Sequence, residues 1–519
     1  MGTIAAKWGS TTPGLHRVVE CARNGGVIVE LPMRLMPLIS AAGVGTLSLP
    51  YLIGLLVFAV AVLLWLILKW KMQAFLALII SSLVVAIGSS AEFTGGKGRL
   101  SLADIGPMME SGMASSLGFI ATIIGLGAIF GSLLEHSGGA QALARTMLRV
   151  FGEKRAPWAM VTTGFIISIP VFLDVALVII APILYALARR TGKSLLAFGL
   201  PLLAGMAVTH AFVPPTPGPV WVAYELGVGL GWVILFGCVV GIPTALVAGI
   251  AAPAWMAKRM YIAPPEEDPD AVMEEGKLPH FGLIIGLIGV PILLIVLGTV
   301  AKEFLASGIA TGLSKAEYDA ALLAARGEAG FWVNALLFLG HPIVALLIAT
   351  LGALVFLGYF RKVDRAVLMD VTTRSLGPAG IIILITGAGG VFKKFLGESG
   401  VSDALKQSFE GTGIPVLLLA YVFAVLVRVA QGSATVAMVT AAGLVASLTG
   451  GLSQPQLALV VVAIAAGASA VSHVNDSGFW MVGRYLRMTE KQTLQTWTIV
   501  STIVSVVGYG VAQLVWMFV

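Results

Sequence analysis

Charge is what this sequence has least of. Asp, Glu, Lys and Arg make up 11% of its 519 residues, where a soluble domain carries roughly 25%. With 58% hydrophobic residues and a mean hydropathy of +0.97, the bulk of the chain must face lipid or other lipid-buried helices. There are two cysteines, Cys21 and Cys238, so no disulfide framework is expected. Cys238 sits in an apolar run and reads as a small packing residue. No cleavable signal peptide is apparent. No Cys, Asp or Glu stands at metal-ligand spacing from a histidine, and no nucleophile motif occurs, which argues against a metal site and against catalysis. The +6 net charge is not a nucleic-acid signature, because the basic residues lie in short loops beside hydrophobic runs.

Runs of about 20 apolar residues are expected to cross a bilayer as helices. Ten such crossings are expected, near 50–68, 73–90, 113–134, 196–222, 231–255, 280–300, 331–359, 376–397, 455–484 and 493–516. Two further runs fit no single crossing. The run 156–188 is broken at Pro170, and basic residues flank both of its ends. The run 413–449 is interrupted at Arg428–Ser433 and lacks basic flanks. Each is expected to be a re-entrant hairpin, one from each side. The remaining basic loops then fall on the cytoplasmic face and both termini lie outside. Arg34 breaks that pattern. The first 49 residues hold no span-length run and read as a flexible extension, or as a start placed too early, with Met33 or Met36 as the true one.

Residues 125–143 and 387–405 are identical at eight of nineteen positions without a gap, where apolar sequence would match at about two by chance. The first copy runs into a basic loop and the second into an acidic one. The fold class expected is therefore an all-α polytopic membrane protein, a 5+5 inverted-repeat transporter with two hairpins and two broken helices. Its divisions are an extension at 1–49, a first repeat at 50–256, a cytoplasmic linker at 257–279 and a second repeat at 280–519. The broken helices are marked by Thr209-His210 before a proline loop, Pro214-Pro215-Thr216-Pro217-Gly218-Pro219, and by Ser472-His473 before Asn475-Asp476-Ser477.

Paired interruptions in two halves point to a central substrate site. Backbone groups freed at membrane depth must be met by protein, water or substrate, and helix N-termini suit a carboxylate. Asp174, a lone carboxylate in an apolar run, is expected to carry a proton, bind a hydroxyl or cap the next helix. Arg428 can hold a substrate carboxylate or form a structural salt bridge with Asp476 or Asp174. Gly432, Ser433 and Thr435 let substrate approach the backbone and offer hydroxyls. His210 and His473, at matching positions, are candidates for proton coupling or plain core residues. Asn475, Asp476 and Ser477 can bind substrate or cap a helix, and Asp476 is a further proton candidate. The prolines fix the shape of their loop, and Pro215 and Thr216 are counted among the substrate contacts. The pairs Gly125-x-Gly127 and Gly387-x-Gly389 lie inside spans and are read as helix-packing sites rather than nucleotide loops. Lys393 and Lys394 are expected to snorkel.

The stretches Pro170–Asp174, Thr209–Pro219, Gly432–Val436 and His473–Trp480 resemble the gluconate permease (GntP-type) family, in order, from about residue 50 to the C-terminus. The resemblance implies proton-coupled uptake of gluconate or a related sugar acid across a bacterial inner membrane, with no cofactor beyond the coupling proton. Some members of that family carry idonate, fructuronate or D-serine. The family is similar to ion-transporter-type carriers, in which a mobile domain holding the hairpins slides against a dimeric scaffold. That implies a homodimer here, with 50–90 and 280–359 as scaffold. This sequence departs from the family at Thr216, where His is common. The alternatives are a D-serine or other amino-acid carrier, an intramembrane enzyme, and a channel.

Overall fold

The computed structural model describes residues 47–265, 278–307, 309, 315–409, 413–474 and 476–519. The expected extension 1–49 lies outside these residues but for its last three, as do 266–277 of the expected linker. The described chain is all helix. The first helices are α1 (Leu49–Leu68), α2 (Ala74–Gly88), α3 (Ile105–His136), α4 (Gly139–Phe151), α5 (Ala156–Ile167) and α6 (Leu173–Thr191). Then come α7 (Leu196–Phe212), α8 (Pro217–Leu226), α9 (Leu230–Leu246) and α10 (Ala252–Arg259). Beyond the linker lie α11 (Phe281–Ala306), α12 (Lys315–Glu328), α13 (Phe331–Leu339), α14 (Pro342–Ala353) and α15 (Arg365–Glu398). The chain closes with α16 (Val401–Phe409), α17 (Val416–Gln431), α18 (Ala434–Val445), α19 (Gln454–Ala468), α20 (Ser477–Tyr485) and α21 (Glu490–Trp516).

Eight helices among the described residues are long and apolar enough to cross a membrane, against the ten expected. The difference has a geometric cause. Helices α2 and α19 have 15 residues each, or about 22 Å at 1.5 Å per residue, short of a ~30 Å hydrocarbon core. The expected span 331–359 is instead interrupted at Gly340–His341 before Pro342. Each of the two broken runs folds as two helices. Residues 168–172 separate α5 from α6, and Gly432 and Ser433 separate α17 from α18. Sequence pattern alone missed α4 and α16, two short amphipathic helices where loops were expected.

The two repeated segments fold alike. Gly138 ends α3 with φ +79° and Gly400 ends α15 with φ +85°, the left-handed conformation that glycine takes without strain. Ser137 and Ser399 donate to the carbonyls of Leu134 and Leu396. Helices α3 and α15 pack along their length and run antiparallel. A Cβ on Gly112 would meet Val391, one on Gly387 would meet Met113, and Gly125 lies opposite Leu376.

Close backbone approach organises the interior. A Cβ on Gly205 of α7 would overlap the carbonyl of Val161 on α5, and one on Gly164 would overlap that of Leu202. Gly467 of α19 presses on the carbonyl of Tyr421 on α17 in the same way. Gly205 and Gly467 differ by 262, the offset between the repeated segments. The glycines picked out from sequence divide. Gly389 is packed against Val439 and Trp221, whereas Gly127 has open space around it. Lys394 pairs with Glu398 one turn on, and Lys393 lies 3.0 Å from Glu225.

Gly164→Ala is expected to lower the thermal unfolding midpoint of the detergent-solubilised protein by the equivalent of about 1–3 kcal/mol, because the helices must separate. Gly118→Ala, which meets nothing within 4 Å, should leave it unchanged or raise it slightly.

Candidate functional site

One cavity of about 1000 Å³ lies where the four interruptions meet. Each interruption brings the N-terminus of its following half-helix to the wall. Leu173, Asp174 and Val175 come from α6, Gly218 from α8, Ala434 and Thr435 from α18, and Ser477 and Gly478 from α20. The first turn of a helix presents N–H groups without intrahelical partners and the positive end of the helix dipole. Four such ends on one cavity make a site for an anion.

At the second interruption Gly432 turns left-handed (φ +86°) and Ser433 caps α18, its Oγ accepting from Val436 N at 3.4 Å. Gln431 Nε2 donates to the Ser433 carbonyl at 2.6 Å and braces the turn. Arg428, on the last turn of α17, is buried. Its Nη2 lies 2.5 Å from Asp476 Oδ2, and its Nε donates to the Ala470 carbonyl at 3.2 Å.

Asp476 is the knot of this region. Oδ1 accepts from Gly478 N at 2.9 Å, capping α20, and Oδ2 accepts from both Arg428 and the Ser472 hydroxyl. Ser472 Oγ in turn accepts from Trp497 Nε1 at 2.8 Å, and Ser472 N donates to Ser501 Oγ at 3.1 Å. Of the two roles open to Arg428, the salt bridge is therefore the one formed in this conformation. Asp476 combines capping with pairing, so both charges are neutralised at little solvent exposure.

Asp174 stands on the first turn of α6, exposed into the cavity. Glu135 of α3 and His210 of α7 line the same cavity. His210 Nδ1 is buried with no hydrogen-bond partner among the described residues, and its ring meets Phe172 edge-on at 6.1 Å.

Of the expected site residues, Asp174, His210, Arg428, Gly432, Ser433, Thr435, Asp476 and Ser477 are brought together on this cavity. Three are not. Pro215 and Thr216 line a separate crevice of about 20 Å³ behind Pro170–Phe172. Thr216 Oγ1 donates to its own loop, to Val213 O at 2.8 Å, because Thr216 is the residue that starts α8. His473 stays off the cavity, with Nε2 3.0 Å from the Val429 carbonyl. The bend at Val471 (φ +41°) and the hydrogen bonds that anchor Ser472 set its direction. The matching histidines thus occupy unlike places. Asn475 lies outside the described residues. Sequence reasoning gave no role to Glu135, Arg374, Gln431 or Trp497, which also line the cavity. Glu135 was within reach, as a carboxylate inside the first repeated segment.

Comparison with known proteins agrees with this architecture. The GntP family permease profile matches residues 51–519. The chain is 37% identical to the low-affinity gluconate transporter of Escherichia coli K12 over 452 residues, 87% of this chain and 95% of that one. It is 36% identical to the gluconate permease of Bacillus subtilis over 86% of this chain and 95% of that one. It is 34% identical to the Gnt-II system L-idonate transporter of E. coli, over 86% and 95%. Among solved structures, the Alcanivorax borkumensis YdaH transporter superposes with a TM-score of 0.55 at 12% identity, covering 86% of this chain and 97% of that one. At that identity the likeness speaks for the fold alone. Family and apolar helices together make this a multi-pass membrane transporter and not an enzyme, and the chain belongs to the GntP family of permeases.

Proposed function

We propose that this protein is a secondary active transporter that carries gluconate or a related sugar acid, together with a proton, into the cell across the bacterial inner membrane. The convergence of four helix N-termini on one cavity carries the reading. It offers N–H donors and positive dipole ends to a carboxylate, while Ser433, Thr435 and Ser477 offer hydroxyl partners for a polyhydroxylated chain. The relatives named above carry gluconate and L-idonate, acids of this kind. The volume of about 1000 Å³ is at the upper end for ligand pockets. The cavity therefore holds substrate together with water and tightens around it during transport.

The two halves form an inverted 5+5 repeat, with the paired helices α5/α6 and α17/α18 as hairpins entering from opposite faces. The antiparallel packing of the matching helices α3 and α15, and the matching glycines at offset 262, support it. By the positive-inside pattern the C-terminal end of α3 and the N-terminal end of α15 are cytoplasmic. The cavity is lined by Glu135 and His136 at one of those ends and by Arg374 near the other, which supports an inward opening. Arg428 orders the α20 break through Asp476 and leaves the carboxylate to the helix ends. Asp174, which lines the cavity with His210 and Glu135, holds the coupling proton.

Proteoliposomes containing the purified protein should take up labelled gluconate saturably, faster with an inside-alkaline gradient, and unlabelled idonate should compete. Uptake indifferent to gluconate would remove the substrate assignment; uptake indifferent to the gradient would remove the proton.

Asp174→Asn should abolish stimulation by the gradient yet leave gluconate–gluconate exchange across the membrane measurable. Loss of both together would make Asp174 a substrate or folding residue instead.

Arg428→Ala strands Asp476 without its partner. It should destabilise the solubilised protein by about 3–5 kcal/mol, the usual cost of breaking a buried pair from one side. Asp174→Asn should change stability far less, since Asp174 already faces open space.

A further inference from the structure

The cavity occupies one end of the long antiparallel pair α3 and α15. On α3 it reaches Ser132, Glu135 and His136, and on α15 it reaches Arg374 and Ser375. The other end is closed by α8. There the Tyr224 hydroxyl donates to the Ser115 carbonyl on α3, and Glu225 meets Lys393 on α15. Ser115 stands ~30 Å along α3 from Glu135, and Lys393 ~27 Å along α15 from Ser375, at 1.5 Å per residue. One face of the protein is therefore open while the opposite face is sealed.

The seal is electrostatic as well as steric. The Glu225 side chain is 0% exposed and its oxygen lies 3.0 Å from Lys393 Nζ, which is 44% exposed and also donates to the Glu225 main-chain carbonyl at 3.4 Å. Lys393 is the one ion-pair partner of that carboxylate among the described residues. A buried carboxylate with one partner holds its helix where that partner is.

Helix α20 is the counterpart of α8 in the other half, each being the short helix that follows a break. Met481 of α20 lines the cavity wall. Arg484, three residues on, shares its face of the helix. Glu135 of α3 lines the same cavity. Neither Glu135 nor Arg484 makes an ion pair among the described residues.

We propose that Glu225–Lys393 latches shut the face opposite the cavity mouth, and that Glu135 and Arg484 form the matching latch when the cavity closes. This rests on the carrier reading above, because only a carrier must seal the two faces in turn. The latches have opposite polarity. The short helix brings the acid on one face and the base on the other, so the two pairs exchange as α8 and α20 shift against α3 and α15.

The test uses full-length protein with Cys21 and Cys238 replaced by Ser and a reporter, Ser132→Cys, in the cavity mouth. A membrane-impermeant maleimide is applied to right-side-out and to inverted vesicles. In this background the reporter should react from the cytoplasmic face only. Lys393→Met leaves Glu225 buried without a partner, so the sealed face opens and labelling should slow at least roughly tenfold. Adding Glu225→Gln removes the stranded charge but leaves the face without its latch, and should restore the rate only in part. Adding Glu135→Gln to Lys393→Met should also restore it, by removing the latch that holds the cavity closed. An unchanged rate in Lys393→Met protein that elutes as a single species overturns the first latch, and no effect of Glu135→Gln overturns the second. Where Lys393→Met yields no such protein, the exchange Glu225→Lys with Lys393→Glu decides: the background rate supports the latch and any other rate overturns it. Labelling from both faces at once in the background overturns carrier and latch together. Failure of gluconate uptake with this labelling pattern intact overturns only the substrate.

Discussion

A helix that stops inside a membrane leaves N–H and C=O groups that lipid cannot satisfy, each at a cost of several kcal/mol. This protein stops four helices around one cavity, and most of its polar chemistry answers that constraint. Ser433 caps α18 and Asp476 caps α20. Gln431 and Arg428 donate to carbonyls the breaks have freed, those of Ser433 and Ala470. At α8 the solution is different. Pro217 opens the helix, where a missing N–H costs nothing, and Thr216 bonds back into its own loop. The first turns of the four following half-helices line the cavity itself.

Arg428 and Asp476 show how structural and functional demands share residues. A lone Arg at this depth would be a substrate trap, and a lone Asp a proton site. Joined, they neutralise each other and fix the geometry of two breaks at once, since Arg428 ends α17 and Asp476 begins α20. Trp497 and Ser501 on α21 extend the network through Ser472 and tie it to a third helix. The charged side chains of this network thus hold the backbone of two breaks in place.

The sequence was most legible where the chain is interrupted, because interruptions in apolar sequence need special residues. Pro170, the 214–219 proline loop, Gly432 and Asp476 each mark a real break. Sequence order also carried the repeat, through Phe130 and Phe392 or Gly138 and Gly400. What it could not carry was direction. Thr216 and His473 were placed in the site because their neighbours are, yet one hydroxyl turns into its own loop and one ring turns toward Val429. A one-residue rotation about a break decides this, and no pattern records it. Nor could it join Glu225 to Lys393, 168 positions apart. Lys393 alone reads as a charge at a helix end, and Glu225 carries no motif. The amphipathic α4 and α16 were hidden because a dozen residues with scattered charge read equally well as loop.

The two repeated segments, alike in their glycine ends, differ at one position in particular. Position 393 is Lys, whereas the equivalent position 131 is Gly, pressed against the Pro170 carbonyl at the first hairpin tip. The lysine can reach across to a carboxylate on α8, whereas the glycine lets the hairpin tip approach α3 instead. One repeat position thus serves an ion pair to α8 in one segment and a close backbone contact with residues 168–172 in the other.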